Sequence, residues 1–235
     1  SNLKVITNAL VNRIEFDGKQ ATGVSLKTKR GIESIDAAQE VILTAGAIAS
    51  PMLLQRSGVG REEVLDAAGV ETVHSLLGVG ENLQDHLEVY FQFHCKQSVS
   101  LNNKLGLISK ALIGARWLLF KDGLGASNHF ESCAFIRSKH GLKSPDIQYH
   151  FLPAAMRYDG TPSIAGHGFQ VHVGPNKPKS RGRVRIKSAD ATDSPSILFN
   201  YYQADEDIEA WRQCIRLRSE EHTSELQSLA YLVCR

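Results

Sequence analysis

Segment 46–60 of the chain, GAIASPMLLQRSGVG, limits the possible fold more than any other stretch. The apolar run EVILT at 40–44 precedes it and is typical of a short buried strand, and Ala45-Gly46 predicts a tight turn. Ser50-Pro51 then predicts a helix start, because proline is favoured in the first helical turn. A strand that leads into a helix amino terminus can hold a nucleotide, since backbone N–H groups there face a phosphate or ribose. A single segment of this kind is more often an ordinary strand-turn-helix connection without a ligand.

The same segment resembles the second signature of the glucose-methanol-choline (GMC) family of flavin-dependent alcohol oxidoreductases. Ten of its residues match that signature: Gly46, Ala47, Ser50, Pro51, Leu53, Leu54, Ser57, Gly58, Val59 and Gly60. Two further stretches resemble passages of the same family, namely GVGENLQDH at 78–86 and the passage 180–201, which begins SRGRVRIKS and ends PSILFNY. This number of matched positions favours membership of the family over a chance match to an ordinary strand-turn-helix connection.

The alternation of apolar and polar residues predicts the remaining elements. It indicates a hairpin turn at Asp17-Gly18, strands at 3–16, 21–28 and 87–95, and helices at 61–68, 109–120 and 205–217. The resemblance implies an α/β (α+β) fold, with part of a Rossmann-like FAD-binding domain and an antiparallel-sheet substrate domain with flanking helices. We expect an incomplete FAD-binding domain at 1–86, a substrate-binding domain at 87–200, the start of a helix at 201–217 and a tail at 218–235.

The resemblance implies FAD as the cofactor, with cofactor-binding positions at Val11, Ala45, Gly46 and Asn82. Val11 would lie beside the adenine, although its place in an alternating strand is equally consistent with a core residue. In GVGENLQDH the glycine pair permits a tight backbone path, while Asn82, Asp85 and His86 can bond to local backbone groups. We therefore interpret Asp85 and His86 as structural rather than catalytic.

Two segments separate this chain from a generic family member: ASNHFESCAFIRS at 126–138 and PDIQYHFLP at 145–153. Both resemble choline-oxidising members of the family, which implies choline as the small-molecule substrate. A quaternary ammonium donates no hydrogen bond, so aromatic faces and a carboxylate must recognise it. By the resemblance, Glu131 and Phe130 are substrate-binding residues, and His150 is a catalytic histidine that positions the alcohol oxygen. The residues alone would indicate a surface carboxylate at Glu131 and an ordinary strand histidine at His150.

The resemblance implies an enzyme of glycine betaine synthesis that oxidises choline to betaine aldehyde by hydride transfer to the flavin. Two alternatives stay open: a family member that acts on an uncharged alcohol, and a binding module without catalysis. The family's GxGxxG loop and its carboxyl-terminal active-site histidine are missing from these 235 residues, so we expect a middle fragment that is inactive alone. Residues 218–228, RSEEHTSELQS, also match one reading frame of a common sequencing adapter, which predicts a non-native tail.

The charge and the cysteines exclude some partners. The 27 basic and 25 acidic side chains give a net charge of +2, too balanced to indicate nucleic-acid binding. The four cysteines have no CxxC or metal-binding spacing, so we expect free thiols, no metal site and a reducing, cytoplasmic environment. The most apolar run, 111–120, is too short to cross a bilayer, which limits any membrane contact to the periphery of the inner membrane.

Overall fold

The computed structural model describes the backbone of residues 2–220 and 230–234, with side chains described up to residue 217. The predicted non-native tail at 218–235 therefore lies largely outside the described residues. The chain forms two compact units. Unit 1 comprises Ser1–Asp85 and Ser180–Gln203, and unit 2 comprises His86–Lys179 and Ala204–Arg235. The first boundary falls one residue before the predicted one.

The predicted domain at 87–200 needs a correction, because Ser180–Gln203 packs with unit 1. Gly182 and Leu83 exchange two backbone hydrogen bonds, of 2.8 and 3.0 Å. The N–H of Val184 donates to the carbonyl of Gly80 over 2.7 Å. These backbone bonds attach the segment to the GVGENLQDH loop, and they join residues about a hundred positions apart.

The elements are numbered along the chain. The first half contains strands and helices β1 (Leu10–Asp17), β2 (Gln20–Thr28), β3 (Gly31–Asp36), α1 (Gly46–Arg56), β4 (Val59–Gly60), α2 (Glu62–Ala67), β5 (His74–Ser75), β6 (Val89–His94) and α3 (Leu107–Phe120). The second half contains β7 (Ser132–Ile136), β8 (Ile147–Leu152), β9 (Gly168–Pro175), β10 (Arg183–Arg185), β11 (Ser196–Leu198), α4 (Asp205–Glu220) and β12 (Ala230–Cys234). The predicted mixture of helices and sheets is confirmed.

Unit 1 begins with an antiparallel meander of β1, β2 and β3. Gly18, with φ of +56°, opens the two-residue turn between β1 and β2, at the predicted hairpin. The predicted strand at 3–16 is wrong at its start, because β1 begins at Leu10. Asn8 adopts a left-handed φ of 55°, which interrupts the extended backbone just before β1.

The predicted strand at 40–44 is also wrong, since this segment has no regular structure and Ile42 is 75% exposed. Strand formation requires a partner for the backbone groups, and no described strand pairs with these residues. Helix α1 begins at Gly46 rather than at Ser50, so that Pro51 lies inside it. Alanine-rich residues before the proline favour helix, which extends α1 toward its amino end.

The side chain of Gln55, in the signature helix α1, connects several segments of unit 1 through hydrogen bonds. Its side chain is almost completely buried, and its Oε1 accepts the N–H of Ile186 over 2.9 Å. Its Nε2 donates to the carbonyl of Val184 over 3.0 Å. Nε2 also lies 3.4 Å from the carbonyl of Val79, so this buried amide satisfies three backbone groups and fixes β10 against α1.

The two residues after Gln55 attach α1 to the meander. The Nε of Arg56 donates to the carbonyl of Asn12 over 3.1 Å. The hydroxyl of Ser57 accepts the N–H of Ile14 over 2.8 Å and donates to the carbonyl of Leu53 over 2.6 Å. The polar end of the family signature therefore has a structural role in this unit.

Unit 2 is built on an antiparallel five-stranded sheet with the order β12-β7-β8-β9-β6. One face carries the hydrophobic core, in which α4 contributes Trp211 and Cys214. The sheet residues of that core are Ile136, Ile147, Tyr149 and Val173. Burial raises the pKa of the Cys214 thiol to about 12, so this cysteine is a neutral core residue. The predicted antiparallel sheet with a flanking helix is confirmed.

Helix α3 in unit 2 buries none of its side chains. Its exposed apolar residues include Leu107, Ile108, Leu112, Leu118 and Phe120. The helix ends at Lys121, which adopts a left-handed φ of 57° and stacks its ammonium over the Trp117 ring. Across the described part of the chain, helices fall short of the length and apolar character that a membrane span requires.

Candidate active site

The second face of the unit 2 sheet is polar and aromatic, and we call it the polar face. Its residues alternate with the core residues along each strand, as the pleat requires. Strand pairing places His150 of β8 directly opposite His172 of β9, and His172 directly opposite Tyr90 of β6. Gln148 and Gln170 lie on the same face, two positions from the two histidines. Three neighbouring strands thus bring two imidazoles and a phenol into one row.

Both ring nitrogens of His172 bond to neighbouring side chains. Gln170 Oε1 accepts the N–H of Met156 over 3.1 Å, which identifies the other amide atom of Gln170 as a donor. That Nε2 lies 2.8 Å from His172 Nε2, so this ring nitrogen accepts. The ring proton is therefore on Nδ1, which donates to Glu88 Oε1 over 2.7 Å. His172 is buried, and the bonds at its two nitrogens fix the orientation of the ring.

His150 is half-buried and has one nitrogen open. Its Nε2 lies 2.7 Å from the amide nitrogen of Gln148, so Nε2 accepts and the ring proton is on Nδ1. Among the described residues no group hydrogen bonds to Nδ1. Burial lowers the pKa of His150 from its ordinary 6.5; the charge of Glu88 opposes the shift and His172 adds to it. At neutral pH, His150 is an uncharged donor available to a ligand.

Phe130 joins the two histidines. Its ring meets the His150 ring edge to face, with centroids 5.7 Å apart, and meets the His172 ring in the same way at 5.5 Å. Tyr90 stacks on His172 at 5.2 Å, and Tyr158 packs edge-on against Tyr90 at 5.4 Å. Such distances are typical of stabilising aromatic pairs. The rings form a continuous aromatic cluster across the polar face.

The structure brings Phe130 and His150 together but leaves Glu131 apart. Glu131 precedes β7, is exposed, and makes no ion pair or hydrogen bond with the described residues. A concavity of about 190 Å³ opens beside His150 instead, and Glu88 and Gln148 also line it. Small-molecule pockets commonly occupy roughly 300–1,000 Å³, so this one suits a ligand of few heavy atoms.

The predicted cofactor residues lie on three segments of unit 1. Val11 is half-buried in β1, and its carbonyl accepts from Arg56 over 3.4 Å. Ala45 is the residue before α1, and Gly46 opens the helix with a φ of +85°. Asn82 is exposed with a left-handed φ of 60°. The start of α1 carries no acidic residue and no side-chain cap, so its backbone N–H groups are free to meet an anion.

Asp85 of the GVGENLQDH loop accepts a hydrogen bond from the hydroxyl of Tyr201 within unit 1. Burial, together with this bond, raises the pKa of Tyr201 to about 12. The contact joins the loop to the NY sequence at the end of the 180–201 passage. This arrangement agrees with the structural interpretation of Asp85.

Sequence reasoning missed four residues of the polar face: Glu88, Tyr90, Gln148 and His172. Alternation within LEVYFQFH and GFQVHVGP assigns Tyr90 and His172 to one face of their own strands. The signal that joins them is the register of β6, β8 and β9, which pairs residues far apart in sequence. A single sequence does not contain that register.

Comparisons with known proteins agree with this architecture. Oxygen-dependent choline dehydrogenase from Photobacterium profundum is 60% identical over 220 residues, and the protein of the same name from Vibrio vulnificus is 58% identical. Each match covers 94% of this chain and 39% of the relative. The chain thus spans about two fifths of the length of these curated relatives.

Solved structures share the fold. Pyridoxine 4-oxidase from Mesorbium loti has a TM-score of 0.74 and 28% identity, over 94% of this chain and 40% of that protein. Formate oxidase from Aspergillus oryzae has a TM-score of 0.79 and 24% identity, over 95% of this chain and 44% of that protein. Two family models, both of GMC oxidoreductase, match residues 1–88 and 178–225, together more than half of the chain. The chain therefore belongs to the GMC oxidoreductase family.

Proposed function

We propose that this chain is part of an FAD-dependent enzyme that oxidises choline to betaine aldehyde. Supporting this, relatives with that substrate in their names are 50–60% identical over most of the chain. Because the chain spans about two fifths of their length, the proposal concerns the longer protein. The observation that carries it is the open Nδ1 of neutral His150 beside the aromatic cluster.

His150 would bind the alcohol oxygen. Its Nδ1–H can donate to the hydroxyl and to the negative charge that develops as the hydroxyl loses its proton. Gln148 fixes the donor tautomer, and the lowered pKa keeps the ring neutral at pH 7. A neutral donor positions and stabilises the oxygen without taking up its proton, which would pass to a base in the rest of the longer protein, the carboxyl-terminal histidine that the family resemblance implies.

The ammonium end of choline would contact aromatic faces. Phe130 is 42% exposed and therefore offers ring surface to a ligand. A cation within about 6 Å of a ring centroid is attracted by the negative ring face. Glu131 follows Phe130 in the chain, and the family resemblance proposes it as a carboxylate for the same cation.

FAD, when bound, would supply the hydride acceptor. The amino end of α1 fits such a group, because a Cβ added at Gly46 would meet no atom within 4 Å and the first N–H groups have no side-chain cap. Gly46 and Ala45 would present backbone to the cofactor, with Val11 and Asn82 as the further proposed contacts. We also propose a cytoplasmic location, which suits the free thiols of Cys95, Cys133 and Cys214.

The test is to express the full-length protein that carries this segment, load it with FAD, and compare choline with its uncharged carbon isostere. We expect a higher kcat/KM for choline, since an aromatic site gains from the cation. Replacing His150→Phe should lower kcat for both alcohols by about a hundredfold, because one oxyanion donor contributes that much. A preference for the uncharged alcohol would support a family member that acts on uncharged alcohols. If the flavin-loaded wild type oxidises neither alcohol, the result would support a binding module without catalysis.

A further inference from the structure

A second cavity, of about 340 Å³, lies in unit 2 beside helix α3. Its lining comes from the single 3-10 turn Leu101–Lys104, from α3, and from the end of β8 with the chain that follows it. Gly114 of α3 leaves room there, because a Cβ added at this residue would meet no atom within 4 Å. Pockets for small molecules commonly occupy roughly 300–1,000 Å³, so this cavity is large enough for an organic ligand.

The lining of the cavity is mostly apolar and carries positive charge. Apolar side chains such as those of Ile113 and Met156 form most of it, while the polar side chains are those of Lys104, Lys110 and His129. Among the described residues, no aspartate or glutamate lines the cavity. A cationic ligand would therefore find no carboxylate there, whereas an anion with an apolar body would match both parts of the lining.

The protein does not neutralise the two lysines. The Lys104 ammonium makes no ion pair or hydrogen bond with the described residues, and the Nζ of Lys110 donates to the carbonyl of Gly160 over 3.3 Å. Asp159, next to Gly160, directs its carboxylate to Thr161, which donates its N–H over 2.9 Å and its hydroxyl over 2.6 Å. Both ammonium groups are thus available to an anionic ligand.

His129 shows two unusual features at the edge of this cavity. Its backbone adopts a left-handed φ of 64°, which a residue with a Cβ rarely does. Its Nδ1 is buried and has no hydrogen-bond partner among the described residues. Strained backbone and unpaired buried polar atoms are uncommon and concentrate at ligand sites. The imidazole is therefore a polar group of the lining that the protein itself leaves unsatisfied.

We infer that this cavity binds a small amphipathic monoanion, namely a monocarboxylate with a short aliphatic chain. The apolar side chains would cover the aliphatic chain, and the ammonium groups of Lys104 and Lys110 would meet the carboxylate, with His129 as a further hydrogen-bonding group. Binding would not depend on choline oxidation, because the cavity shares no lining residue with the concavity beside His150.

The methyl group of Met156 reports on the cavity directly, because Met156 lines it. In the full-length, flavin-loaded protein with isotope-labelled methionine methyl groups, the signal is assigned with Met156→Leu and followed by NMR during titration with hexanoate. We expect a saturable shift, and at least about tenfold weaker binding of hexanamide and of hexylammonium. Met52 on α1 lies in unit 1, so its signal should not move.

Removal of the charges should weaken binding. The double substitution Lys104→Met/Lys110→Met keeps the side-chain lengths and should raise the dissociation constant of hexanoate at least about tenfold. Lys143→Met is the matched control, because Lys143 is exposed, belongs to the same unit and precedes β8, whereas the cavity lies at the other end of that strand. Its dissociation constant for hexanoate should equal that of the wild type.

Filling the cavity should also weaken binding. Gly114→Leu places a side chain in the open space, and leucine favours helix more than glycine does, so α3 should be retained. The dissociation constant of hexanoate should rise at least about tenfold. Ala111→Leu, at an exposed position of the same helix, should have no effect. Circular dichroism and an unchanged Met52 signal verify that each variant is folded.

Three results would each overturn the inference. A Met156 signal that shows no saturable shift up to about 10 mM hexanoate would mean that the cavity does not bind the anion. Equal affinities for hexanoate and hexanamide would mean that the positive charge does not contribute. An unchanged affinity in Gly114→Leu would mean that hexanoate binds elsewhere.

Discussion

Replacing Gln55→Met tests whether one buried amide holds unit 1 together. The substitution preserves side-chain length but removes the acceptor of Ile186 N–H and the donor to Val184 C=O. Each buried group left without a partner costs about 1–3 kcal/mol, so the two together cost about 2–6 kcal/mol. That is a large part of the roughly 5–15 kcal/mol that stabilises a typical domain.

Hydrogen exchange is the direct assay, because the N–H of Ile186 donates to Gln55 itself. A loss of 2 kcal/mol or more accelerates exchange of this amide about thirtyfold or more. Tryptophan fluorescence would be a poor probe, since Trp117 and Trp211 both belong to unit 2.

The matched control is Gln84→Met, which changes an exposed glutamine in the same unit and should leave exchange unaltered. If the exchange rate of the Ile186 amide in Gln55→Met stays within about threefold of the wild-type rate, the stabilising role of the Gln55 amide is refuted. It would mean that β10 is held by its backbone bonds alone.

Three further predictions concern single residues. Gly80→Ala should lower the melting temperature by more than about 4 °C in circular dichroism, because the added Cβ would lie 2.2 Å from the carbonyl oxygen of Val184 and φ is +79°; Gly78→Ala, with open space, should not. Because the pKa of His150 is lower in the folded state, its contribution to stability is present above about pH 6.5 and is lost as the pH falls through the folded-state pKa. In His150→Phe, the midpoint of urea unfolding should therefore fall less steeply with decreasing pH below about 6.5 than it does in the wild type. Gln148→Glu should move the ring proton of His150 to Nε2 and raise its pKa, visible in ring nitrogen NMR shifts; an unchanged tautomer would contradict the bond to Gln148.

Elements set by local sequence were predicted well. The β1–β2 hairpin depends on a turn glycine and on alternation within about twenty residues, and it was placed within one residue. The run 40–44 has equally good strand composition but no described partner, and composition does not supply one. The predicted start of α1 is wrong because proline is favoured in the first helical turn but is not confined to it, and Pro51 lies inside the helix.

The residues of the candidate site also fall into two groups, those that short motifs point to and those that only the strand pairing brings together. The family resemblance predicts roles for Phe130 and His150, and the structure brings their rings into contact while the roles themselves stay predictions. The contact between Glu88 and His172 joins residues 84 positions apart and depends on the pairing of β6 with β9. The role of Glu131 stays a prediction, because it rests on resemblance and makes no contact that defines it in the described residues.

Each histidine of the polar face bonds to a glutamine two residues before it on its strand, and the two differ in what meets the other ring nitrogen. Gln170 and Glu88 occupy both nitrogens of His172, which leaves neither nitrogen open to a ligand. Gln148 occupies one nitrogen of His150 and leaves the other open. Since the strands place the two rings directly opposite each other, a histidine that its neighbours hold at both nitrogens lies beside one with an open nitrogen, and only the open one can meet the alcohol oxygen in our proposal.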